Sequence, residues 1–205
     1  MKQKRMPQEE RRKQIVDEAM KIINREGYAA FTTRRLSREI GISEPALYRH
    51  FASKDEIIIS IISRMDELWN ELESIIHNIN NIEEKFCTFI MMHFQYIEKH
   101  PDILAVLFAD EYIRLNENVK HHFYRVTDKR FHFLKKLLEA IKETNLRKGT
   151  DLDALIIIII GAIRTTALNW RNSNYAYPLT VMGEEICINL ANMILYDKKP
   201  SNGGN

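Results

Sequence analysis

Between Thr32 and Lys54 the chain gathers side chains whose chemistry is hydrogen bonding and charge rather than bond making: Thr33, Arg34, Arg35, Ser43, Glu44, Tyr48, Arg49, His50 and Lys54, with the small Ala46 among them. Hydroxyls, guanidinium groups and an ammonium suit phosphate oxygens, and arginine or glutamate can also read the donor and acceptor edges that bases present in a major groove. Catalysis has little to work with. No Gly-rich phosphate loop, nucleophile elbow or H-E-x-x-H occurs, and the acid pairs Glu83-Glu84, Asp110-Glu111 and Glu184-Glu185 are adjacent, so they diverge around a helix. His121 and His122 are adjacent too, and His93 and His132 have no spaced cysteine or carboxylate set, so no metal site is expected. We expect neither an enzyme nor a cofactor.

Such groups read a ligand only from a rigid support, and the spacing supplies one. A first short helix can open at Thr33, whose hydroxyl can cap free N–H groups, and carry Leu36 and Ile40 on one face. Gly41 can end it in the left-handed conformation, turning the chain and burying Ile42. Ser43 then caps a second helix with Pro45 in its first turn and Leu47 and Phe51 inward, leaving Glu44, Tyr48, Arg49 and His50 outward. The S-x-x-E run from Ser53 to Glu56 starts a third helix, whose N-terminus and Lys54 favour a phosphate.

This block, TTRRLSREIGISEPALYRHFASK, resembles the N-terminal domain of TetR/AcrR-family transcriptional regulators, filling T-x-x-x-L-x-x-x-x-G-[IV]-S-x-x-x-[LI]-Y-x-[HY]-F-x-S-K. The resemblance implies an all-α fold, with a three-helix helix-turn-helix head over residues 1–54 and a larger helical effector-binding and dimerisation domain over 55–197; the run 198–205, with Pro200, Gly203 and Gly204, reads by composition as a disordered tail. It puts Thr33, Tyr48, His50 and Lys54 on the phosphate backbone of double-stranded DNA and lets Arg34 reach a guanine. Glu44, Ala46 and Arg49 fall where base specificity varies among members. An acid at Glu44 is repelled by phosphates unless it accepts from a cytosine amino group or pairs with Arg34, Arg38 or Arg49.

Charge agrees with that division. Met1 to Lys54 holds 13 Lys and Arg against 7 Asp and Glu, and the remainder 17 against 21, so a modest net charge of +2 hides a basic head on an acidic body. Lys2, Lys4 and Arg5 form an N-terminal arm that either enters a minor groove or stays a solvated tail. Cys87 and Cys187 stand far apart in apolar helical surroundings, which reads as two buried thiols and suits a reducing cytoplasm. The longest apolar run, Leu155 to Ile163, falls short of the ~20 residues of a membrane span and is flanked by charge, so no membrane role is expected.

Periodicity fills the body with helices: Ser53 to Ile76, Ile82 to Lys99, Ile103 to Leu115, Val119 to Thr144, Asp151 to Trp170 and Leu179 to Tyr196. Ile156 to Ile160 has strand propensity, but the apolar character runs on through Leu168, too long for a strand. A helix so apolar needs cover on most sides. The resemblance implies a homodimer through the last two helices, with Ile157, Ile160 and Gly161 meeting Ile186, Leu190 and Met193, and therefore a palindromic operator. Phe89, Met92, His93, Tyr96, Phe108, Tyr112, Phe123 and Trp170 can line a pocket for a small, mostly apolar or aromatic effector, or can be ordinary core. Repression relieved by such an effector is the expected function; chromosome organisation or cell-division control on the same fold is the alternative.

Overall fold

A computed structural model of the chain describes residues 6–104, 110–144 and 146–194. The basic arm Met1–Arg5, Phe108 and the tail 198–205 lie outside the described residues, as does the side chain of Tyr112. The fold is all-α, and the chain divides into two compact units: Met1–Leu68 with His100–Asp128, and Trp69–Lys99 with Lys129–Asn205.

The first unit opens with α1 (Gln8–Glu26), whose apolar stripe Ile15, Ala19, Ile22 and Ile23 is fully buried, as its spacing requires. Gly27, at φ +82°, ends it, and a single 3-10 turn over Tyr28–Ala30 leads to α2 (Thr33–Glu39) and α3 (Glu44–Tyr48). Phe31, Leu36, Leu47 and Phe51 close the core of this three-helix head against the start of α4 (Lys54–His77), where Ile57, Ile58, Ile61 and Ile62 are buried. Polar ties pin the arrangement: Arg64 pairs with Asp17 of α1 at 2.5 Å, and Asn24 donates to Asp102 at 2.8 Å. After α6 (Asp110–Leu115) the Asn116 side chain accepts from the Val119 amide and donates to Asp55. Asn116 is thus the cap of α7 (Glu117–Thr144), which starts slightly earlier than its apolar periodicity suggests.

The second unit contains the end of α4, α5 (Ile82–Lys99), the second half of α7, α8 (Leu152–Asn172) and α9 (Leu179–Ile194). Asn81 caps α5 by accepting from the Glu83 and Glu84 amides, and Asp151 caps α8 by accepting from Ala154. Helices α5 and α9 pack most intimately. A Cβ on Gly183 of α9 would lie 2.5 Å from the Phe94 ring of α5, and Glu98 of α5 accepts from the Leu179 amide at 2.8 Å. Cys87 and Cys187 therefore face each other with Cα atoms 5.7 Å apart, and they are joined as a disulfide rather than standing as two buried thiols. A separation of 100 residues conceals this neighbourhood, because only the packing of α5 on α9 creates it.

The isoleucine run is helical, as its context demands, but only part of it turns inward. Ile156 and Ile159 are buried, while Ile157 is 69%, Ile158 52% and Ile160 40% exposed. Taken whole, α8 is long and apolar enough to cross a membrane by length and composition, a test that the short isoleucine stretch alone does not meet. Its inward stripe of Leu155, Ile156, Ile159, Ile163, Ala167 and Trp170 is that of a bundle helix packed on its own unit. Of the partner stripe expected on α9, Met193 is exposed. Leu190 and Ile194 point into their own unit with Leu179 and Cys187, and Ile186 is half-buried. The exposed apolar face consists of Val181, Met182, Ile188 and Met193, since close approach at Gly183 sets the helix's rotation.

Candidate nucleic-acid interface

The reading head owes its shape to three local devices. Thr32, not Thr33, caps α2: its hydroxyl accepts from the Arg35 amide at 3.1 Å. At the other end Gly41 takes φ +70°, its amide donates to the Arg38 carbonyl and that of Ile42 to Ser37, the double bond of a Schellman turn. Ser43 caps α3 by accepting from Ala46, with Pro45 in the first turn where its missing N–H is harmless. Regular helix ends at Tyr48, and Arg49 and His50 follow in a tightening turn with the His50 amide donating to Leu47.

Thr33, released from capping, serves the contact between α2 and α3. Its hydroxyl donates to Glu44 at 2.5 Å and accepts from the Tyr48 hydroxyl at 3.4 Å. The acid expected to need a cytosine or an arginine is thus engaged by a threonine, and Glu44, Thr33 and Tyr48 form one polar cluster on the outer surface. Arg34, Arg38 and Arg49 are exposed around it. Arg35 is turned elsewhere: its guanidinium donates to both oxygens of Glu26 at 2.5 Å, which holds that carboxyl down at about 2 with help from Arg25. It ties α2 to the end of α1. Lys54 places its ammonium 4.1 Å from the Tyr28 ring centre and 5.0 Å from that of Phe31, and burial lowers its pKa.

Arg12 escapes the sequence reading. It lies in a charged run of α1 that looks like solvated surface, yet it donates to the His50 carbonyl, pairs with Glu56 at 3.0 Å and stacks 4.0 Å over the Phe51 ring. Glu56 in turn accepts from the Ala52 amide at 2.6 Å while Ser53 accepts from Glu56, so the capping box reaches one residue further back than S-x-x-E implies. Arg12 therefore clamps the end of the recognition turn to the start of α4. A cleft of about 580 Å³ opens beside this junction, lined by Ser53, Asp55, Glu56, Ile59, Asn118, His121, His122 and Arg125. Among the described residues, none of those expected to hold an effector lines it.

Those residues separate. Phe123 belongs to the first unit; Phe89, Met92, His93, Tyr96 and Trp170 belong to the second. Phe89 and His93 of α5 join Trp69 of α4 and Phe133 of α7 in an aromatic cluster with ring centres 4.7 to 6.5 Å apart, and the Arg130 guanidinium lies 4.7 Å from the Trp69 ring. Trp170 instead packs on Tyr175 and donates to the Tyr177 carbonyl. Trp69 reads from sequence as one more member of an apolar stripe, and only the folded helices make it the centre of a group.

Within that cluster, burial first and the Arg130 charge second push His93 down from 6.5 to about 4. A folded-state pKa below the unfolded one means that the unfolded chain binds the proton more readily, so stability is complete above pH 6.5 and declines as pH falls towards 4. Urea unfolding at pH 5 should give a free energy up to about 2 kcal/mol below that at pH 7 from this group. His93→Gln should flatten that part of the slope; an unchanged slope would assign it to other groups.

Comparison with known proteins agrees with this architecture. Residues 15–61 match the family model of bacterial regulatory proteins, tetR family, and residues 62–192 that of the YsiA-like protein C-terminal region. The nucleoid occlusion factor SlmA of Marinomonas sp. (strain MWYL1) is 25% identical over 195 residues, 91% of this chain and 96% of that protein. The fatty acid metabolism regulator protein of Bacillus subtilis (strain 168) is 23% identical over 175 residues, 84% and 90% of the two chains. The crystal structure of the transcriptional regulator FadR from Bacillus subtilis in complex with stearoyl-CoA superimposes with a TM-score of 0.74 at 21% identity, covering 87% of this chain and 96% of the other. With family models spanning both head and body, the chain belongs to the tetR family of bacterial regulatory proteins and is a helix-turn-helix, DNA-binding transcriptional regulator.

Proposed function

We propose that the protein acts as a homodimeric repressor of a palindromic operator and releases it on binding an acyl-chain effector in the second unit. The observation that carries this reading is the pairing, in one chain, of an exposed cationic reading surface with an aromatic cluster built around Trp69, Phe89 and Phe133. The stearoyl-CoA complex of a structural neighbour supports the choice of ligand class. Two heads on a two-fold axis need a shared apolar surface, and the outward faces of α8 and α9 offer one. Helix α4 runs unbroken from Lys54 to His77, so a ligand that shifts its Trp69 end can alter the spacing of the heads, provided it favours the non-binding arrangement. A protein acting on the chromosome works in the cytoplasm.

Footprinting on the DNA upstream of its own coding sequence, with and without stearoyl-CoA, tests the whole reading: a two-fold symmetric footprint that fades with the ligand is expected. In the head, Arg34→Ala should cost about 1–3 kcal/mol of specific affinity and relax preference at one base pair, whereas Lys54→Ala should weaken all sequences alike and reduce the salt dependence. An unaltered salt slope removes Lys54 from the phosphate contacts. The nucleoid occlusion relative supports a second reading, binding at many dispersed chromosomal sites without an inducer. Genome-wide occupancy separates the two, since one site beside an operon fits repression and many scattered sites fit the alternative.

A further inference from the structure

Trp69 is 6% exposed, and among the described residues its buried Nε1–H meets no acceptor. Trp170 shows the ordinary solution, donating its Nε1–H to the Tyr177 carbonyl at 2.6 Å. A donor buried without a partner costs about 1–3 kcal/mol, so its persistence calls for an acceptor from outside the chain.

The surroundings narrow what that acceptor is. Phe89 and Phe133 stack with centres 5.9 Å apart and planes 14° from parallel, and both rings lie against Trp69, giving an apolar wall. On His93 the carbonyl of Phe89 can only accept, so Nδ1 carries the proton of the 2.6 Å bond between them and the imidazole presents Nε2 as its remaining acceptor. Arg130 brings positive charge to the Trp69 ring at 4.7 Å. A spare N–H, a nearby cation and an aromatic wall together suit a molecule with a long apolar body and one oxygen acceptor. A water would need two to four polar partners, which a shell made chiefly of rings does not favour.

We propose that the Trp69 Nε1–H is the hydrogen-bond anchor for the carbonyl oxygen of an acyl ligand, as carboxylate or thioester, whose chain lies along Phe89 and Phe133. This rests on the effector reading above, and it makes the site selective for acyl compounds over hydrocarbons of equal length. The chain has two tryptophans, so Trp170→Phe leaves the Trp69 indole proton as a single signal for NMR of the intact protein. Stearate and stearoyl-CoA are titrated separately, with calorimetry on the same samples and octadecyltrimethylammonium as the ligand lacking a carbonyl. The expected result is a downfield shift of the Trp69 indole proton with stearate, stearoyl-CoA or both, none with the ammonium compound, and an affinity about tenfold lower in Trp69→Phe. Which acyl compound gives the shift tells acid from thioester. Acyl binding that leaves the indole signal in place and is equally tight in Trp69→Phe would overturn the anchor while the effector reading stands. Absence of binding by both acyl compounds would remove that reading and the anchor together.

Discussion

Breaking the Cys87–Cys187 bond, by Cys87→Ser with Cys187→Ser or by a thiol reductant, is expected to lower the unfolding free energy of the second unit by about 2–4 kcal/mol. The bond links residues 100 positions apart, so in the unfolded chain it closes a long loop whose lost entropy alone is worth about 4.7 kcal/mol at that length. Native packing should survive the change, because Gly183 still seats on Phe94 and Leu179 still donates to Glu98. Denaturant titrations of oxidised and reduced protein give the difference directly, and a thiol assay should find no free cysteine in the oxidised form, both cysteines being used. Coincident midpoints for the two forms would show that the cross-link contributes nothing.

Charge on the outward face of α8 and α9 should have the larger functional effect. Ile157→Asp with Ile188→Asp places two carboxylates where a single chain is exposed, so the fold is expected to hold while the proposed dimer dissociates. Operator affinity should then fall by about 10²–10⁴, the gain that linking two half-site contacts provides. Sedimentation reports the monomer and gel shifts report the affinity; a doubly substituted protein that stays dimeric with full affinity would move the interface elsewhere. Leu190→Asp is the contrasting variant. Its side chain is 6% exposed within its own unit, so it should unfold the second unit rather than split a dimer.

The legibility of this chain follows the range of the interactions involved. Gly41, Ser43 and Pro45 act on amides and carbonyls within a few residues, and their roles could be read from the sequence. Thr32 takes the cap expected of Thr33, whose hydroxyl instead engages Glu44 from the next helix. Arg12 and Arg35 carried no local mark distinguishing a clamp from a solvated charge, as their partners Glu56 and Glu26 come from other helices. The rotation of α9 was hidden for the same reason, since a helix apolar on several faces leaves the inward one to whichever neighbour it meets.

By itself the sequence determined the all-α class, most helix starts and stops to within about two residues, the helix-turn-helix head and the basic charge of that end, because each follows from periodicity, capping and composition along the chain. Tertiary structure alone decided the Cys87–Cys187 bond, the engagement of Glu44 by Thr33, the outward placement of Val181, Met182 and Ile188, and the cluster around Trp69. Each of these needs two segments brought together in space, and the free energy that brings them together belongs to the packed core rather than to any local run of residues.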